Sequence, residues 1–111
     1  MSKDEKDVKR ERLLSNLGLC VRAGKIVFGV PMICEGMRKG GKNSPVVVFE
    51  ASDPSENTSK RLSDKCEFYG VKHIKIDCDC QTLAKGLGKT GALAAVALTD
   101  ENMLGMVEKY I

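Results

Sequence analysis

A chain of 111 residues with 42% hydrophobic and 30% charged side chains suits one compact domain and excludes the disordered and fibrous classes. Its longest apolar run, Ala92–Leu98, is far too short to span a bilayer, and the charged opening MSKDEKDVKRER has no apolar signal region. A cytoplasmic protein with no membrane partner is therefore expected. The net charge of +3 hides a basic middle, with twelve basic against eight acidic groups from Arg22 to Lys89, which is compatible with a nucleic-acid partner.

Residues 1–12 read as a charged, frayed N-terminus ahead of a domain spanning 13–111. Leu13, Leu14, Leu17, Cys20 and Val21 recur at helical spacing, so a first helix runs from about residues 8–11 to Ala23, where Gly24 stops it. KIVF makes a short strand. Gly29 and Pro31 open a second helix, with Val30, Ile33 and Met37 inward and Gly40–Gly41 at its end. PVVVFE is a strand without polar alternation, hence covered on both faces. In the next segment, EASDPSENTSKRLSDKC, Asp53 is the expected helix cap, Pro54 the first helical residue and Glu56 the partner of a capping box; Gly70 ends that helix. HIKI is a shorter, alternating strand, QTLAKGLG a helical turn, and ALAAVAL a second fully buried strand. The closing TDENMLGMVEKYI is a helix capped by Thr99 or Asp100, with Met103, Leu104, Val107 and Ile111 inward. Regular alternation with doubly buried strands predicts an α/β class, a helix–sheet–helix sandwich.

Conventional enzyme sites do not assemble from these residues. His73 is the single histidine, and no motif ties it to a nucleophile or a carboxylate, so catalysis is not expected. LAKGLGKTG resembles a phosphate-binding loop only partly, because Leu83 stands where the first glycine belongs. Cys78 and Cys80, with Cys66 and His73, make up a set of soft ligands, yet their spacing matches no common zinc pattern. Five cysteines, an odd number, argue for reduced, mostly buried thiols. No cofactor, metal or small-molecule substrate is expected.

EASDPSENTSKRLSDKCEFYGV resembles the second strand and third helix of the kink-turn-binding ribosomal proteins, the L-seven-Ae/L-thirty-e superfamily. It is most similar to the bacterial YlxQ-type branch. LLSNLGLCVRAGKIVFG resembles the first helix and strand of the family, and LAKGLGKTGALAAVALTD its Leu-Gly turn, last strand and closing Thr-Asp. The resemblance runs from about Leu13 to the C-terminus. It implies a three-layer α/β/α sandwich with a four-stranded mixed sheet that binds RNA at the start of the second helix and at two neighbouring loops. The family pattern at that helix start is G-x-N-E-x-x-K. Here it is GVPMICE, with Pro31, Met32 and Glu35 in the Asn, Glu and Lys positions, so the scaffold carries over without the side chains that read a kink-turn.

The expected function is a non-enzymatic, ribosomal-protein-like interaction with structured or ribosomal RNA. Lys25 and Lys85 would hold phosphates. Gly29 would allow close approach, with Ser52 on the same edge, and Val30, Met32 and Leu83 would pack against unstacked bases. The alternatives are a protein-docking module of the ribosome or transcription machinery, with Val30, Pro31 and Met32 as its apolar patch, or a thiol or metal module on Cys78 and Cys80.

Overall fold

A computed structural model describes residues 5–42 and 44–110, apart from the side chain of Lys6. Within them five helices alternate with four strands, in the order α1 (Glu5–Arg22), β1 (Ile26–Phe28), α2 (Val30–Lys39), β2 (Val47–Glu50), α3 (Glu56–Tyr69), β3 (Lys72–Lys75), α4 (Cys80–Gly86), β4 (Ala95–Leu98) and α5 (Glu101–Glu108). The strands form one mixed sheet in the order β1-β4-β2-β3. β4 runs antiparallel to both of its neighbours, while β2 and β3 are parallel.

The two central strands explain their own sequences. Successive side chains of a strand point to opposite faces. Val47, Phe49, Val96 and Leu98 enter a core with Leu13, Leu17, Cys20 and Leu83, whereas Val48, Ala95 and Ala97 enter a second core with Ile33, Met37, Leu62 and Cys66. Helices α1, α4 and α5 thus cover one face and α2 and α3 the other. The result is a three-layer α/β/α sandwich around a four-stranded mixed sheet. Every position of β2 and β4 is buried, so neither strand alternates with solvent, and Glu50 at the end of β2 is the one polar residue in the two.

Local differences from the sequence expectations have physical causes. α1 begins at Glu5, inside the segment expected to fray. Arg10 pairs with Asp7 at 3.1 Å and donates to the Asp77 carbonyl at 3.2 Å, tying this charged turn to the loop after β3. The cap of α3 is Ser55, not Asp53: Ser55 Oγ accepts from the Thr58 amide at 3.2 Å. Asp53 has turned away to another helix, and Pro54 consequently precedes the cap. Asp100 rather than Thr99 caps α5, accepting from the Asn102 amide at 2.8 Å. Val107 is buried, with Met103 and Leu104 packed beside it, and Ile111 lies outside the described residues.

Candidate nucleic-acid interface

β1, β2 and β3 share one direction and β4 opposes them, so the C-terminal ends of the first three strands meet the start of β4 along one rim. Backbone hydrogen bonds lace this rim together. The Gly29 amide donates to Ala95 O (3.0 Å), Ala51 N to Ala94 O (2.8 Å) and Ser52 N to Cys78 O (2.8 Å). The start of α2 and the loops after β2 and β3 therefore adjoin one another.

Helix starts on this rim differ in what they leave open. At α4, Asp79 Oδ1 accepts from the Thr82 amide at 2.7 Å, and Asp53 Oδ1 accepts from the Cys80 amide at 2.7 Å. The Thr82 bond holds the Asp79 carboxyl below its ordinary range. Two carboxylates thus occupy the donors of that turn, leaving it unfit for phosphate. At α2 no side chain caps the helix: Gly29 sits at φ 85°, ψ 149°, and Pro31 follows in the first turn. The Val30 and Met32 amides belong to the first turn, which has no partners within the helix. Met32 is 60% exposed beside them. Glu35, one turn further, bonds Arg38 at 2.6 and 3.1 Å and approaches Lys39 at 3.7 Å. Arg38 draws its carboxyl below the ordinary range, and the neighbouring cations meet its charge on its own helix.

Of the seven residues singled out in the sequence, Gly29, Met32 and Ser52 come together at the rim. Lys85 is exposed in the last turn of α4. Two do not have the surface role expected of them: Leu83 is fully buried in the core beneath α1, and Val30 is 6% exposed beneath α2, so neither is open to a base. Helical periodicity had marked Val30 as inward, and for both residues packing against the sheet prevailed over any rim role. Lys25 is exposed but lies at the opposite end of β1 from Gly29, where its carbonyl accepts from the Thr99 amide at 2.9 Å. The rim cation that sequence reasoning missed is Lys89, whose Nζ stands 4.4 Å from the centre of the Phe28 ring, next to Gly29. No local motif signals this contact, because it depends on β4 pairing with β1.

Behind the rim lies a polar cluster that was also not foreseen. Glu50 is 1% exposed, accepts from Ser59 Oγ at 2.7 Å and from His73 Nε2 at 2.6 Å, and has Lys75 Nζ 3.7 Å away. A hydrolytic triad places imidazole between hydroxyl and carboxylate, but here the buried carboxylate stands in the middle. The imagined soft-ligand set is split, since Cys66 lies in the core under α2 and α3 and Cys78 in the core on the other face of the sheet. Burial pushes both thiols up to about 11. Burial, together with the Asp53 carboxylate, does the same for Cys80. Thiols held this high carry little thiolate at neutral pH.

No family model matches the sequence. The RNA-binding protein YlxQ of Bacillus subtilis (strain 168) is 34% identical over 95 residues, spanning 86% of this chain and 87% of that protein. The chain belongs to the YlxQ family. The YlxQ RNA-binding protein of Enterococcus faecium is 36% identical over 80 residues, 72% of this chain and 74% of its own length. Among solved structures, a protein of unknown function from Bacillus halodurans C has the same fold, with a TM-score of 0.77 at 24% identity over 89% of this chain and 95% of its own. The 15.5kD RNA binding protein of Giardia lamblia also shares the fold, with a TM-score of 0.70 at 14% identity over 99% and 88%. The YlxQ-type resemblance read from the motifs is thereby established. Among the described residues, no helix is long and apolar enough to cross a membrane.

Proposed function

We propose that this YlxQ-family protein is a non-enzymatic, cytoplasmic RNA-binding protein whose domain, residues 13–111, holds structured RNA against the rim built from Gly29, Met32, Ser52, Lys85 and Lys89. The observation that carries this reading is the uncapped start of α2, where unpartnered first-turn amides lie beside an exposed Met32 and a lysine held over Phe28. Amides and lysines there suit phosphate, and Met32 offers an apolar surface to an unstacked base. The curated relatives, named as RNA-binding proteins, support the same ligand class.

Pro31 and Met32 offer no hydrogen-bonding side chain for a base edge, so the rim recognises shape and backbone more than sequence. The protein-docking alternative loses much of its patch with the burial of Val30, which leaves Pro31 and Met32 exposed.

The test is a titration against a kink-turn RNA, an unkinked control and total ribosomal RNA at several salt concentrations. Binding should weaken steeply with salt, and Lys85→Glu with Lys89→Glu should abolish it, while Lys25→Glu at the opposite end of the sheet leaves it unchanged. Salt-independent binding, or loss on Lys25→Glu alone, would count against this rim. Tight binding to the kink-turn alone would show that α2 reads it without the family's Asn, Glu and Lys.

A further inference from the structure

The outer face of α3 carries a surface that the rim does not use. Lys60, Asp64 and Phe68 follow one another at four-residue spacing, with Arg61, Lys65 and Tyr69 in the adjoining row, so the six side chains share one side of the helix. They line an open depression of about 650 Å³. Phe68 is 80% exposed, the most exposed of the large apolar side chains among the described residues. Tyr69 stands against it edge to face, ring centres 4.9 Å apart. Among the described residues, no carboxylate lies within salt-bridge distance of Lys60, Arg61 or Lys65, although Asp64 is on the same face.

Each component has a cost that folding does not explain. An exposed phenylalanine braced by a tyrosine adds nothing to either core, and three cations, with Asp64 as the one carboxylate lining the same depression, crowd about one and a half turns of the helix. A nucleic-acid single strand answers both features, because phosphates neutralise the cations and a splayed base stacks on the ring whatever its identity. An apolar protein partner would answer only the aromatic part. The position fits as well: α3 starts at the rim and Phe68 lies about 18 Å along the helix from Glu56, at 1.5 Å per residue. A strand leaving the rim would pass the cations before it reached the ring.

We propose that the basic–aromatic face of α3 is a second contact surface, binding the single-stranded RNA segment that flanks the element held at the rim, with its phosphates on Lys60, Arg61 and Lys65 and a base stacked on Phe68. The inference rests on the RNA-binding reading and specifies a second site for it.

The experiment uses the full chain and a single-stranded oligouridylate probe of about 12 nucleotides, with the kink-turn and ribosomal RNAs in parallel. Phe68→Ala should weaken oligouridylate binding roughly 5- to 100-fold. The triple variant Lys60→Ala/Arg61→Ala/Lys65→Ala should make its log–log salt dependence shallower by about 2. The chain contains no tryptophan, so Phe68→Trp supplies a single indole, excited apart from the two tyrosines, that retains binding and is quenched when a base stacks on it. All four positions are exposed, so loss of folding does not confuse the result. If these variants bind the oligonucleotide as the parent does while Lys85→Glu with Lys89→Glu abolishes RNA binding, the α3 surface is overturned and the rim reading stands. If the parent binds none of the RNAs, both fall. Loss of a protein partner on Phe68→Ala with oligonucleotide binding unchanged assigns the face to protein instead.

Discussion

Asp53 lies in the loop after β2 and Cys80 opens α4, yet the Asp53 carboxylate accepts from the Cys80 amide at 2.7 Å and so helps to start a helix other than the one it precedes in sequence. With Asp79 already on Thr82, the start of α4 is doubly capped, and the loops after β2 and β3 are clamped to each other. Asp53→Ala should destabilise the protein by about 0.5–2 kcal/mol, the range for a lost cap. Asp53→Asn, which keeps an acceptor oxygen, should recover much of it. Urea denaturation measures the loss, and faster hydrogen exchange at the Cys80 amide localises it.

Glu50 offers a sharper energetic test. Its buried carboxylate relies on Ser59 and His73, so Ser59→Ala removes one donor and should cost about 1–3 kcal/mol. Replacing the carboxylate itself, Glu50→Leu, removes the group that needs the donor. The double variant should therefore lose less stability than the sum of the single ones, which a double-mutant cycle by denaturation would reveal. Strict additivity would mean that the cluster is not coupled.

Gly29 has a backbone conformation, φ 85° and ψ 149°, that other residues scarcely adopt. Space is not the constraint, since an added Cβ would meet nothing closer than the Pro31 Cδ at 3.9 Å. Gly29→Ala should cost about 1–3 kcal/mol through backbone strain alone, or else shift the start of α2 and lower RNA affinity with it. Thermal denaturation and the RNA titration together separate the two responses.

Cys66, Cys78 and Cys80 are each pushed from an ordinary 9.0 up to about 11, mainly by burial. The folded state therefore holds their protons more tightly than the unfolded chain does. Their contribution to stability is complete below pH 9.0 and is lost as the pH rises towards about 11. Denaturation midpoints should fall across that window, and alkylation of the native protein at neutral pH should be slow. Rapid modification of Cys66 or Cys78 at neutral pH would contradict their buried placement.

Element order and layering were legible because they follow from period and punctuation. PVVVFE and ALAAVAL announced doubly buried strands, and the helix ends at Gly40 and Gly70 coincide with the glycines that stop them. What could not be read is what depends on which strand lies beside which. Lys25 and Gly29 flank β1 and so lie at its opposite ends, which the strand KIVF already implied; what the antiparallel pairing of β1 with β4 adds is that the start of β4, not its end, lies beside Gly29. The same pairing carries Lys89 to Phe28. Asp53 had every local property of a cap, and only the parallel alignment of β2 with β3 gave it a competing amide. His73 had no visible partner because Glu50 lies on a different strand, on the same face and two positions beyond its register mate Val48.

The place of β4 in the sheet has a consequence for how the protein is made. Among the described residues, β4 is the last strand and the only neighbour of β1, and it also separates β1 from β2. A nascent chain that has not yet reached Leu98 has β1 without a ladder and β2 with one side open, however much of the helical structure has formed. At about 5–20 residues per second, translation leaves those edges exposed for several seconds. Termination before Leu98 should give an insoluble product, not a smaller folded one.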